Sequence, residues 1–154
     1  MEEKDWASGA TDWLDKKEET EQGWKDRAAQ ERKILEEQGP GLWDEIRREF
    51  DVQRDAFNQR EGRDVLTVVT GSPKKVTVFA KMSDGEQREM TAAFTDDYSI
   101  EYHAGVTDVE PDRSGKFKMS VTNENELVLL NKDNVAYVAK TIADHALNAL
   151  IGRP

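Results

Sequence analysis

The spacing of apolar residues changes period twice along this chain. Up to about residue 60 they recur at helical intervals, from Val65 to Val121 they alternate, and from residue 133 the helical interval returns. The first helical stretch carries an unusual stripe. Trp6, Trp13 and Trp24 are spaced by seven and then eleven residues. At about 100° per residue, both spacings return the side chain to within roughly 20° of its starting direction. Ala28 and Leu35 extend the stripe, while most residues around it are charged.

This arm is expected to be helical from about Asp12 to Gln38. It is rich in Glu, Lys, Arg and Ala, and acids lead bases at i to i+4 spacings such as Glu21–Lys25. Gly9 and Gly23 each weaken it by roughly 1 kcal/mol relative to alanine, so the isolated arm should not form fully. Gly39-Pro40-Gly41 reads as a boundary, because proline lacks an N–H and glycine reaches the angles that end helices. The expected division is a charged helical arm, 1–40, and a body, 41–154. Leu42 to Gln59 then reads as a second helix, with Trp43, Ile46, Phe50 and Phe57 on one side and Gly62 just past its end.

From Val65 the chain reads as strands. Val76, Val78 and Ala80 alternate with polar or outward positions, as do Met90, Ala92 and Phe94, then Tyr98, Ile100 and Tyr102, then Phe117, Met119 and Val121. This is the period of a sheet that buries one face. The links at Gly71-Ser72-Pro73, Ser83-Asp84-Gly85-Glu86, Asp96-Asp97 and Asn123-Glu124-Asn125 are short and carry turn residues, so neighbouring strands should be antiparallel. A last helix is expected from about Asp133 to Ile151. Its apolar face holds Val135, Val138, Ala139, Ile142, Ala146, Ala149 and Leu150, and it stops at Gly152. The predicted fold is α+β. An antiparallel β-meander of five to six strands is covered on one face by flanking N- and C-terminal helices, and the charged arm precedes it.

Charge narrows the partners. Net charge is −10, and residues 1–40 alone hold 12 Asp/Glu against 7 Lys/Arg. Such a surface argues against nucleic acid and against an anionic membrane. There is no cysteine, which removes disulfides, thiolate nucleophiles and cysteine-based zinc sites. The N-terminus has no secretory pattern and no run suits a membrane span, so the expected location is the cytoplasm.

Candidate chemistry is sparse. Asp108, Glu110, Asp112 and Ser114 place oxygens at every second position, like the opening of a calcium loop. Arg113 stands where that loop needs glycine and Met119 where it needs glutamate, so no metal is expected. His103 and His145 have no second histidine at ligand spacing. Asp96-Asp97 is an ordinary acidic turn, and neither a nucleophile elbow nor a phosphate loop occurs. No catalytic residue and no cofactor are expected. Lys75, Lys81, Glu89, Glu101, Lys116 and Lys118 should share the polar sheet face as solvated cross-strand pairs.

The leading expectation is a small non-enzymatic protein-interaction or self-association module, such as a homodimer. Its contact residues would be Trp6, Trp13, Trp24 and Leu35, since tryptophan concentrates binding energy at interfaces. Contact with another chain is preferred over an arm that folds back on its own body or stays disordered. One alternative is a small-molecule binder or weak enzyme, with a pocket between sheet and helices lined by Met90, Phe94, Tyr98, Tyr102 and Met119. Another is an acidic inhibitor or immunity-type partner of a basic protein.

Overall fold

A computed structural model describes residues 5–105 and 113–153. One helix, α1, runs from Trp6 to Glu61. Seven strands follow: β1 Leu66–Ser72, β2 Lys75–Lys81, β3 Gln87–Phe94, β4 Ser99–Gly105, β5 Arg113–Val121, β6 Leu127–Leu130 and β7 Ala136–Tyr137. Helix α2, Ala139–Ile151, ends the fold. The strands lie in chain order in a single antiparallel sheet. The α+β class and the meander are as the alternation implies.

Alternation decides which face of the sheet is covered. Val76, Val78, Ala80, Met90, Ala92, Ile100, Ala104, Phe117 and Met119 are buried on one face, under Trp43, Ile46 and Phe50 of α1 and Ile142, Ala146 and Leu150 of α2. Lys75, Lys81, Glu89, Lys116 and Lys118 lie exposed on the other face, with Glu101 half-buried beside them. Glu101 and Lys116 are cross-strand partners there, with Oε1 and Nζ 3.3 Å apart.

Four hairpins are closed by the same loop. The N–H of Gly85, Tyr98, Asn125 and Asn134 donates to the carbonyl three residues earlier, and the residue after each turn closes the outer bond. The fourth residue of each turn has positive φ: Gly85 at 88°, Tyr98 at 58°, Asn125 at 64° and Asn134 at 60°. This is a type I turn followed by a left-handed residue, a common three-residue hairpin loop. Glycine and asparagine suit that position; tyrosine does not. Tyr98, expected inside a strand, therefore sits in the turn before β4.

The helix does not break at Gly39-Pro40-Gly41, so the division expected at residue 40 falls inside α1. Gly39 is buried for a packing reason. A Cβ there would lie 3.3 Å from Tyr98 Cδ1 and 3.4 Å from Met119 Sδ. The glycine lets the helix backbone approach the sheet rather than leave it, and the strained Tyr98 conformation places the ring against it. Pro40 and Glu36 are both exposed. The Glu36 carbonyl, which loses its donor to proline, thus lies on the solvent side where water can satisfy it. Leu35 before the motif and Leu42, Trp43 and Ile46 after it pack on the same core, and Ile34 is buried as well. Packing on both sides outweighs the local breaking signal.

The strand count and the last helix also differ from expectation. Asn131–Asn134 forms a hairpin turn, in which the Asn131 side chain accepts from the N–H groups of Asp133 and Val135. This stops helix formation at residue 133 and leaves room for β7 before α2 starts at Ala139. Asn and Asp favour such local bonds over a helix start, which is why the apolar spacing alone placed the helix too early.

Candidate functional site

Two features stand outside the packed body. The first is the N-terminal part of α1. Every residue from Asp5 to Asp26 is exposed except Ala10, which is half-buried. At 1.5 Å per residue, this part projects about 30 Å beyond the sheet. Asp5 caps its start, accepting from the Ser8 N–H at 2.8 Å, and that bond lowers the Asp5 pKa. Arg27 ties its base to the hairpin between β5 and β6. Its Nη1 donates to Asn125 Oδ1 and its Nη2 to the Thr122 carbonyl, both at 2.5 Å.

Trp6, Trp13 and Trp24 are 86%, 61% and 71% exposed. The arm is helical and does not fold back to cover them. Lys17 Nζ stands 5.2 Å from the Trp13 ring, a cation–π contact that leaves most of the ring in solvent. Leu35 is half-buried against the core, at the point where the stripe passes from projection to body.

The stripe is longer than three tryptophans. Trp13, Trp24, Leu35, Ile46 and Phe57 are spaced by eleven residues throughout. Eleven residues overshoot three turns by about 20°, so these five side chains form a stripe that turns slowly round the helix, by roughly 80° from Trp13 to Phe57. Ile46 is fully buried, and Phe57 packs on the core. The stripe that carries uncovered tryptophans in the N-terminal half of α1 thus winds into the flank of the face where Trp43, Ile46 and Phe50 are buried on the sheet.

The second feature is a hollow of about 560 Å³ beside the start of β5, bordered by Gly115, Lys116, Phe117, Tyr137 and His145. Tyr102, Phe117, Tyr137 and His145 form a chain of rings whose successive centroids lie 6.3, 5.1 and 5.3 Å apart. The Tyr102 ring lies directly on Gly115, and burial raises its phenol pKa. On the polar face, the Glu101 carboxylate raises the Lys116 pKa through its hydrogen bond, helped by Asp97. Asp97 is lowered, first by the Thr95 hydroxyl and then by Lys116.

The residues that the small-molecule alternative would place around a pocket between sheet and helices pack into the core. Met90, Phe94, Tyr102 and Met119 are buried there, and Tyr98 packs edge-on against Phe94. His103 is exposed on the outer face of β4, while His145 faces Tyr137 from α2. Asp108, Glu110 and Asp112 of the calcium-like segment lie outside the described residues. Among the described residues no group of three or more His, Asp or Glu could hold a metal ion, and no helix is long and apolar enough to cross a membrane.

Reading the sequence alone missed three things: the Arg27 tether, the eleven-residue continuation of the stripe, and the Gly115–Tyr102 contact. A glycine inside the alternating run of β5 was the available signal for the last, since such glycines mark close approach. Comparison with protein families, with curated proteins and with solved structures found no match.

Proposed function

We propose that this protein is a non-enzymatic association module, in which the projecting half of α1 docks its tryptophan stripe onto a second copy of the chain. The observation that carries this reading is continuity: one slowly turning apolar stripe is buried at Ile46, half-buried at Leu35 and Phe57, and bare at Trp24, Trp13 and Trp6. An identical helix presents the same stripe with the same spacing, and two-fold pairing matches like with like.

The area is adequate. A tryptophan buries roughly 150–250 Å², so three at these exposures offer on the order of 400 Å² per copy. Two copies reach roughly half of a standard interface of about 1,600 Å², and the flanking helix surface supplies more. Tryptophans in such positions are typical hot spots, each contributing about 2 kcal/mol or more on truncation.

The test is solution mass by light scattering on the full chain and on a Trp13→Ala/Trp24→Ala variant. The expected result is a dimer that becomes a monomer on double substitution while the melting of the body is unchanged. An intact chain that stays monomeric at high concentration, or a dimer that survives the substitutions, overturns the proposal.

A further inference from the structure

The hollow beside β5 is a gap in the hydrogen-bond ladder of the sheet. β5 pairs with β4 over its first six residues, Arg113 to Lys118. β6 pairs with β5 only from Lys118 to Val121, because the turn at Asn131 takes the chain away after Leu130. Backbone direction along β5 follows from two bonds. The Met119 N–H donates towards β4, to the Tyr98 carbonyl, and the Thr122 N–H donates the other way, to Glu126. Backbone groups alternate sides along a strand, so those of Ser114 and Lys116 point away from β4, into the gap. Among the described residues no strand pairs with them there.

The two sides of the gap differ in chemistry. Ser114 and Lys116 project to the polar outer face, and Lys132 stands beside them on the β6–β7 turn. An adjoining hollow adds Lys118, and Glu101 is the one carboxylate among the described residues lining either. Lys116 already contacts Glu101 at 3.3 Å and Asp97 at 3.5 Å, so the three lysines leave a small positive excess here on a protein of net charge −10. Between these two residues, Gly115 faces inward and offers no side chain, with Phe117, Tyr137 and His145 around it.

We propose that this gap binds an extended peptide segment of a partner protein, with an acidic–apolar–acidic sequence, as an added antiparallel strand. Residues opposite Lys116 and Ser114 exchange both backbone bonds with them and point their acidic side chains to the lysine face. The residue between sits opposite Gly115 and turns its apolar side chain towards Phe117 and Tyr137. Main-chain bonds supply affinity and the alternating sides supply selectivity, as in other strand-addition sites. The proposal stands apart from the tryptophan helix, and neither depends on the other.

The probe is the blocked peptide acetyl-Thr-Glu-Leu-Glu-Thr-amide, titrated into the full-length protein and followed by amide NMR. The expected result is saturable shifts centred on Ser114 and Lys116. The same peptide methylated on both glutamate nitrogens loses two strand bonds without altering the protein, and should bind about tenfold more weakly or worse. Lys116→Pro removes one free N–H and the lysine charge but no backbone bond to β4, and should reduce binding at least as much in a chain that melts like the wild type. Shifts located elsewhere, equal binding of the methylated peptide, or absence of shifts at millimolar peptide overturns the proposal. So do shifts at Ser114 and Lys116 that grow with protein concentration alone, which would identify a second copy as the occupant.

Discussion

Gly115→Ala should destabilise this protein, although exchanging glycine for alanine in a strand normally helps. An added Cβ would lie 2.4 Å from Tyr102 Cε1, 2.5 Å from Cζ and 2.6 Å from the phenol oxygen. Carbon atoms at optimal separation stand about 3.5–4.0 Å apart, so the overlap is roughly 1 Å against three atoms of one ring. The ring has little room to retreat. Tyr102 is 8% exposed, Phe117 stacks beside it with centroids 6.3 Å apart, and α2 packs over β4 and β5. Overpacking of this kind costs about 1–3 kcal/mol. Lower backbone entropy in the unfolded chain returns roughly 0.5–1 kcal/mol. The net loss is about 1–2 kcal/mol, which for a chain of this length lowers Tm by roughly 2–8 °C.

Thermal melting followed by circular dichroism measures this directly. Gly23→Ala is the control, because nothing lies within 4 Å of a Cβ there, and it should leave Tm unchanged or raise it. A second arm removes the obstacle. In a Tyr102→Ala background, itself much less stable, Gly115→Ala should become neutral or stabilising, and this reversal of sign measures the coupling between the two positions. If Gly115→Ala raises Tm in the wild-type background, the ring moves aside freely and the reasoning is refuted.

Two further outcomes follow from single residues. Asn58 clips the end of α1 to β1, accepting from the Val65 and Leu66 N–H groups and donating to the Leu66 carbonyl. Asn58→Ala leaves the Leu66 N–H and carbonyl short of partners, while the Val65 N–H keeps its bond to the Arg63 carbonyl, so denaturant titration should show a loss of about 2–3 kcal/mol; a loss below 1 kcal/mol would mean water replaces the clip. The second outcome concerns alkaline pH. Burial raises the Tyr102 pKa above its ordinary value of 10.0. The unfolded chain then releases this proton before the folded one does, so stability is flat below pH 10 and falls as pH rises through the folded value. Tyr102→Phe should flatten much of that fall in melting curves, leaving a residue from Lys116, whose raised pKa acts in the same direction.

The strands were legible because alternation reports burial directly: Val76, Val78, Ala80, Met90 and Ala92 are all buried as their spacing requires. Local chemistry was harder to weigh against tertiary contact. Gly39-Pro40-Gly41 carries a strong breaking signal, yet the buried glycine is needed for close approach to Tyr98 and Met119. No property of those three residues announces a sheet beneath them. Tyr98 shows the converse. Bulky side chains avoid positive φ, so nothing in its type suggested a left-handed turn position, which its packing under α1 sustains. The gap beside β5 depends on where β6 stops, and that was set by the Asn131 side chain rather than by any apolar period.

The same contrast explains how the tryptophan arm holds its helix. A free segment of this length with Gly9 and Gly23 would be marginal, because starting a helix is the costly step. Here the start is already made. The core holds α1 from Leu35 onward, and Arg27 fastens it to the β5–β6 hairpin, so each residue towards Trp6 only extends an existing helix. Extension at near-neutral cost gives a rod that is helical as far as Trp6. A tryptophan stripe on such a rod is held in register by the body's own core, through the helix that Trp43, Ile46 and Phe50 anchor there. In the proposed dimer, pre-ordering would remove part of the entropy cost of docking, on the side where the large apolar side chains stand. The body thus acts on the stripe without touching it, by fixing the direction in which the tryptophans point.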